Sequence, residues 1–128
     1  MKLLFTSELQ RRLEEAGSPV RAVAAHPGYA ATNLQSHTGN VLQHVGMWIG
    51  NKLIAQSDEQ GAWPTLYAAT QDIAGDSYVG PDGFQEARGR PTLVGRSGEA
   101  SDEQTARQLW ELSEQLTEVH FPLTPAAA

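Results

Sequence analysis

The residues of this chain best placed to do chemistry lie together, in His26-Pro27-Gly28-Tyr29, with Thr32 four positions past the glycine. A glycine lets backbone approach a ligand closely, and a threonine hydroxyl both donates and accepts hydrogen bonds. His26 precedes the turn and is read as shaping it, not as a base. The other chemistry-bearing residues have plainer readings. His37 and His44 are seven apart, about two helical turns, but no third ligand stands at a fitting spacing and the chain has no cysteine, so no metal site is expected. Asp58-Glu59 and Asp102-Glu103 fall in first helical turns, where the macrodipole favours carboxylates. Neither they nor Glu14-Glu15 are read as acid/base pairs, and no catalytic residue is assigned. Trp48, Trp63 and Trp110 sit in helix-like apolar patterns and are read as packing residues.

The elements that must carry these residues follow from periodicity and punctuation. Leu4, Phe5, Leu9 and Leu13 share a stripe of a helix over Lys2–Ala16, stopped by Gly17 and Pro19. Val20–Ala25 is a short apolar run bounded by proline and glycine, which predicts a buried strand in parallel pairing. In open α/β sheets, ligands bind just past the C-terminal end of such a strand, and Pro27-Gly28 stands there. From Tyr29 to Asn40 the chain reads as loop. Leu42, Val45, Trp48, Ile49 and Leu53 give a helical spacing over 41–54, weakened by Gly46 and Gly50. Ser57-Asp58-Glu59-Gln60 is a capping box opening a helix to about Thr70, with a kink or irregular first turn expected at Pro64. Ser77-Tyr78-Val79 predicts a brief strand closed by a Gly80-Pro81-Asp82-Gly83 turn, and 86–98 reads as loop. Ser101-Asp102-Glu103-Gln104 repeats the capping chemistry and opens a helix with Ala106, Leu109, Leu112, Ser113 and Leu116 on one face. Residues 124–128 are expected to fray.

His26-Pro27-Gly28-Tyr29-Ala30-Ala31-Thr32 resembles the Pro-Gly-x-(Val/Ile)-x-Thr segment of short-chain dehydrogenases/reductases, in the branch of retinol-dehydrogenase-like and WW-domain-oxidoreductase-like enzymes. Ala30 departs from that pattern and thins the apolar wall. Leu3-Leu4-Phe5-Thr6-Ser7-Glu8-Leu9 is similar to the helix that follows the family's catalytic Tyr-x-x-x-Lys. Gly61-Ala62 with Leu66-Tyr67-Ala68-Ala69-Thr70, then Tyr78-Val79-Gly80-Pro81, then Leu109-Trp110-Glu111-Leu112-Ser113, resemble its late helix, last strand and last helix. The Gly-rich nucleotide-binding turn, the Asn-Asn-Ala-Gly segment, the catalytic serine and the Tyr-x-x-x-Lys pair have no counterparts here. The resemblance therefore implies the C-terminal half of such an enzyme.

Its implied fold is α/β: an incomplete Rossmann-type doubly wound arrangement, with the last two parallel strands and about four helices in a single partial domain over 1–128. By the same resemblance Pro27, Gly28, Tyr29 and Thr32 contact the nicotinamide end of NAD or NADP. Leu42, Val45, Trp48 and Ile49 belong to a mobile lid over an apolar alcohol or carbonyl substrate. Hydride transfer is the implied reaction. The chain alone is expected neither to catalyse it nor to hold the cofactor securely. The alternative is a non-catalytic α/β remnant acting as a self-association or protein-interaction module, since a sheet stripped of its neighbours leaves an open edge. Either way a homo-oligomer is expected.

Composition narrows the field further. The chain has 128 residues, is 40% hydrophobic and carries a net charge of −6. Phosphate recognition needs clustered Lys and Arg, so nucleic acid is excluded as a partner. No apolar run approaches a membrane span. The absence of cysteine rules out a disulfide framework, and the expected location is cytoplasmic.

Overall fold

The computed structural model describes residues 1–28 and 57–123. The element order is α1 (Lys2–Glu15), β1 (Ala24–Ala25), α2 (Asp58–Thr70), β2 (Tyr78–Pro81), β3 (Pro91–Leu93) and α3 (Glu103–Thr117), with single 3₁₀ turns at Phe84–Glu86 and Glu99–Ser101. The chain divides into two compact units. Among the described residues the first comprises 1–24, 72–78 and 95–123, and the second 25–28, 57–71 and 79–94. The predicted helix over 41–54, His37, His44 and the tail 124–128 lie outside the described residues.

In the first unit α1 ends where its sequence stops it. Gly17 takes φ +65°, its N–H donates to the Glu14 carbonyl, and the Ser18 N–H donates to the Leu13 carbonyl. Those two bonds close a Schellman motif, which needs a residue at home in the left-handed region. α1 packs against α3 and the turn before it, burying Leu4, Leu13, Ala16, Ala106 and Trp110. Phe5 stacks on Trp110 with ring centroids 4.8 Å apart, and Phe121 meets the same indole edge-on at 6.0 Å. The α3 face differs from the expected one. Ala106 and Trp110 carry the burial, whereas Leu112 and Leu116 are exposed, because the face of α3 that meets α1 is the one bearing Trp110, which contacts Phe5 and Arg12. The helix also starts one residue later than expected. Asp102 is its cap, accepting from the Thr105 N–H at 2.9 Å, while Ser101 is drawn into the preceding turn and donates to the Ser97 carbonyl.

In the second unit α2 opens with the expected capping box: Ser57 Oγ accepts from the Gln60 N–H, and the Gln60 side chain accepts from the Ser57 N–H. The helix runs through Pro64 to Thr70, and the proline ring is fully buried. Burial of the ring against neighbours offsets the loss of one helical donor.

The sheet has three strands in the order β1-β2-β3. The Ala24 N–H donates to the Ser77 carbonyl and the His26 N–H to the Val79 carbonyl, each at 2.9 Å. Both chains advance together along that ladder, so β1 and β2 are parallel. β3 pairs antiparallel with β2, with Val79 opposite Leu93 and Pro81 opposite Pro91. This strand corrects the reading of 86–98 as loop: Thr92, Leu93 and Val94 are strand formers, and Pro91 stands at a strand start where no donor is required. Gly80 and Pro81 likewise belong to β2 and not to the turn. β1 corrects the extent of the predicted strand. It holds only Ala24–Ala25, and Val20 is 59% exposed. Upstream, the Ala22 carbonyl still accepts the Asp76 N–H at 2.8 Å, while side chains satisfy other groups: Gln10 Oε1 accepts the Ala22 N–H at 2.7 Å, and Arg21 bonds the Asp72 carboxylate and the Ile73 carbonyl.

Candidate cofactor-contact site

The parallel ladder stops at His26. The next donor in register would be the N–H of residue 81, and Pro81 has none. The chain therefore leaves β1 through Pro27 and Gly28 at the C-terminal end of the strand, as the sequence predicts. Gly28 adopts φ +69°. A β-carbon there would fall 2.6 Å from the Ala87 carbonyl, 2.8 Å from the Glu86 carbonyl and 2.8 Å from Pro81 Cγ. Protein packing thus already demands glycine at this position, independently of any ligand.

His26 is the residue that the sequence undersold. Its Nδ1 accepts the Gly28 N–H at 3.2 Å, and its Nε2 lies 3.1 Å from Glu86 Oε2. The imidazole rests over β2 at Gly80, where a β-carbon would come within 2.0 Å of Nε2. Glu86 and Gln85 both hold positive φ, +54° and +51°, a conformation costly for non-glycine residues. The signals available in sequence were the histidine before Pro-Gly and the glycine in β2, which only the sheet register brings together. Of the proposed cofactor residues, Pro27 and Gly28 stand at this turn. Tyr29 and Thr32, and the lid residues Leu42, Val45, Trp48 and Ile49, lie outside the described residues.

A second polar cluster sits in the first unit. Glu8, buried on α1, accepts from Arg11 Nη2 at 2.7 Å, Arg11 Nε at 2.9 Å and Arg12 Nε at 2.8 Å. The Arg11 bonds hold its carboxyl below the usual glutamate range, against the opposing effect of burial, with Arg12 adding to them. Arg12 also lies over the Trp110 ring, 4.8 Å from its centroid, a cation–π contact. Nearby, Arg96 Nη1 donates to Ser7 Oγ at 2.7 Å and Asp76 Oδ1 at 2.9 Å. Asp76 sits at φ +61°. None of these charges was singled out in the sequence, because lone acids and arginines on a helix read as a solvated face. Their bonds are satisfied within the protein, so the cluster reads as structural.

The fold defines the class: an α/β segment whose parallel strand pair gives way, past the C-terminal end of β1, to a glycine turn. The relatives are more particular. No protein-family model matches the chain. It is 35% identical over 117 residues to a polyprenol dehydrogenase of Mus musculus, covering 89% of this chain and 32% of that protein. It is 35% identical over 124 residues to retinol dehydrogenase 13 of Homo sapiens, covering 94% and 35%. A crystal structure of an uncharacterized protein from Mycobacterium Paratuberculosis superposes with a TM-score of 0.64 at 49% identity, over 94% of this chain and 37% of that one. The chain is a partial relative of the short-chain dehydrogenases/reductases, a family of oxidoreductases, and spans about a third of the length of the curated relatives it matches.

Proposed function

We propose that the chain forms the nicotinamide-side wall and substrate-covering portion of an NAD(P)-dependent oxidoreductase acting on an apolar alcohol or carbonyl. The observation that carries the reading is the parallel strand ending at His26, with Pro27 and Gly28 leaving it where a dinucleotide fold opens. The named dehydrogenases among its relatives support it. The residues that would hold the cofactor are Pro27, Gly28, Tyr29 and Thr32. The exposed Pro27 offers an apolar surface, and the threonine offers a hydroxyl. The nicotinamide, when bound, supplies the hydride. This chain's share is to place the ring and exclude water, and the chain alone is not expected to turn substrate over.

The test is Thr32→Ala in a form assembled with a nucleotide-binding half. One neutral hydrogen bond is worth about 0.5–1.5 kcal/mol, so cofactor affinity or kcat/KM should fall roughly two- to twelvefold with the melting temperature held. Unchanged affinity with a lowered melting temperature would assign the threonine to a cap instead.

A second reading, that of a self-association module, has its own support. Leu112, Leu116, Val119 and Phe121 are all at least half exposed at the end of α3, with Leu116 at 76%. Sedimentation at micromolar concentration should show a dimer or larger species; a compact monomer would remove this reading.

A further inference from the structure

We propose that His26 is a positioning residue, whose imidazole ties the Pro27–Gly28 turn to the strained turn at Phe84–Glu86 and so fixes where the turn presents itself. The inference rests on the cofactor-wall reading only for what the turn serves. The two ring nitrogens do different work. Nδ1 accepts the Gly28 N–H at 3.2 Å, so it carries no proton. With Nδ1 accepting, the Nε2–H tautomer is the one this geometry calls for, and Nε2 lies 3.1 Å from Glu86 Oε2, a close approach outside hydrogen-bond geometry.

Three independent features converge on that ring. Gly80 leaves the space that the imidazole fills, since a β-carbon would lie 2.0 Å from Nε2, 2.7 Å from Cδ2 and 2.8 Å from Cε1. Gly28, left-handed at φ +69°, donates its N–H back to Nδ1, two residues earlier. Glu86 holds a left-handed backbone conformation unfavourable for its side chain, and in that conformation its carboxylate faces Nε2. Its backbone carbonyl lies where a Gly28 β-carbon would clash. The same short turn therefore meets both the histidine and the glycine. Removing the imidazole would free the Gly28 N–H and leave the Glu86 carboxylate without the ring it faces.

The experiment uses the 128-residue chain and no cofactor, so that it stands or falls apart from the Thr32 test above. Long-range proton–nitrogen correlation on the ¹⁵N-labelled chain should show His26 as the Nε2–H tautomer at neutral pH. A protonated Nδ1 overturns the proposal. Hydrogen exchange of the Gly28 amide then reads the tie itself. His26→Asn, whose side-chain oxygen can occupy the Nδ1 position, should keep the Gly28 exchange rate within about threefold of the wild type. His26→Gln, which reaches the Nε2 position instead, and His26→Ala should speed it tenfold or more. Rescue by glutamine and not asparagine, or full protection in His26→Ala, overturns the assignment. If a variant opens the amides of α2 as well, the wild-type tautomer decides alone.

Discussion

Glu8 lies only four residues before Arg12 on α1, yet the first is 2% exposed while the second is open enough to stack over Trp110. The pair works because Arg11 completes it: the carboxylate accepts three charge-assisted bonds from two guanidiniums whose outer faces still meet water. Burying a carboxylate carries a desolvation cost even when it is paired, and losing one partner of the pair is strongly destabilising because it leaves an uncompensated buried charge.

Acid stability follows from that arrangement. The folded-state pKa of Glu8 is lowered, chiefly by the Arg11 bonds, so its contribution to stability is fully present above the unfolded-state value. It is lost as pH falls through the depressed folded value. Glu8→Gln should therefore flatten the acid limb of the stability curve, and at neutral pH cost about 1–3 kcal/mol for weakened charged hydrogen bonds. Urea midpoints between pH 2 and pH 7 for both proteins check this; parallel curves would mean that the carboxylate is not paired in solution.

Gly80→Ala should strain the second unit. A β-carbon 2.0 Å from His26 Nε2 has to displace the ring, at about 1–3 kcal/mol for overpacking. Combining it with His26→Ala should cost less than the two single losses added, because the clash is gone. Additive losses in thermal melts would show that the two positions do not touch.

Gln10 carries the third prediction. Its side chain satisfies the buried Ala22 N–H and fills the space left by Gly75, where a β-carbon would fall 2.1 Å from Gln10 Cδ. Gln10→Ala leaves that N–H unpaired, at about 1–3 kcal/mol, and should speed exchange of the Ala22 amide first. An Ala22 amide as slow as in the wild type would rule the contact out.

Activity is expected to be absent in the purified chain. Neither a phosphate-binding turn nor a Tyr-x-x-x-Lys pair occurs in the sequence, and a hydride donor must be held and oriented before it reacts. Cofactor-dependent turnover of retinoids, steroids or simple aldehydes that persists through rigorous purification would contradict this.

Local punctuation was the readable part of this chain. Gly17 and Pro19 ended α1, Ser57 and Gln60 opened α2, and Pro27-Gly28 broke the chain after β1, because caps and turns depend on residues within four positions of one another. Burial and pairing were not readable in the same way. Val20 lost its place in the strand once Gln10 and Arg21 took up the neighbouring backbone, and Leu116 lost its place in the core once α3 met α1 through the face bearing Trp110. β3 emerged only when β2 offered it a partner. Glu8 and His26, the two side chains with the most consequential surroundings, read on the chain as an ordinary helical acid and a residue beside a turn. Their partners act through space: the clash at Gly80 and the carboxylate of Glu86 are distant from His26 in sequence, and only the strand register and the turn after it bring them to the ring.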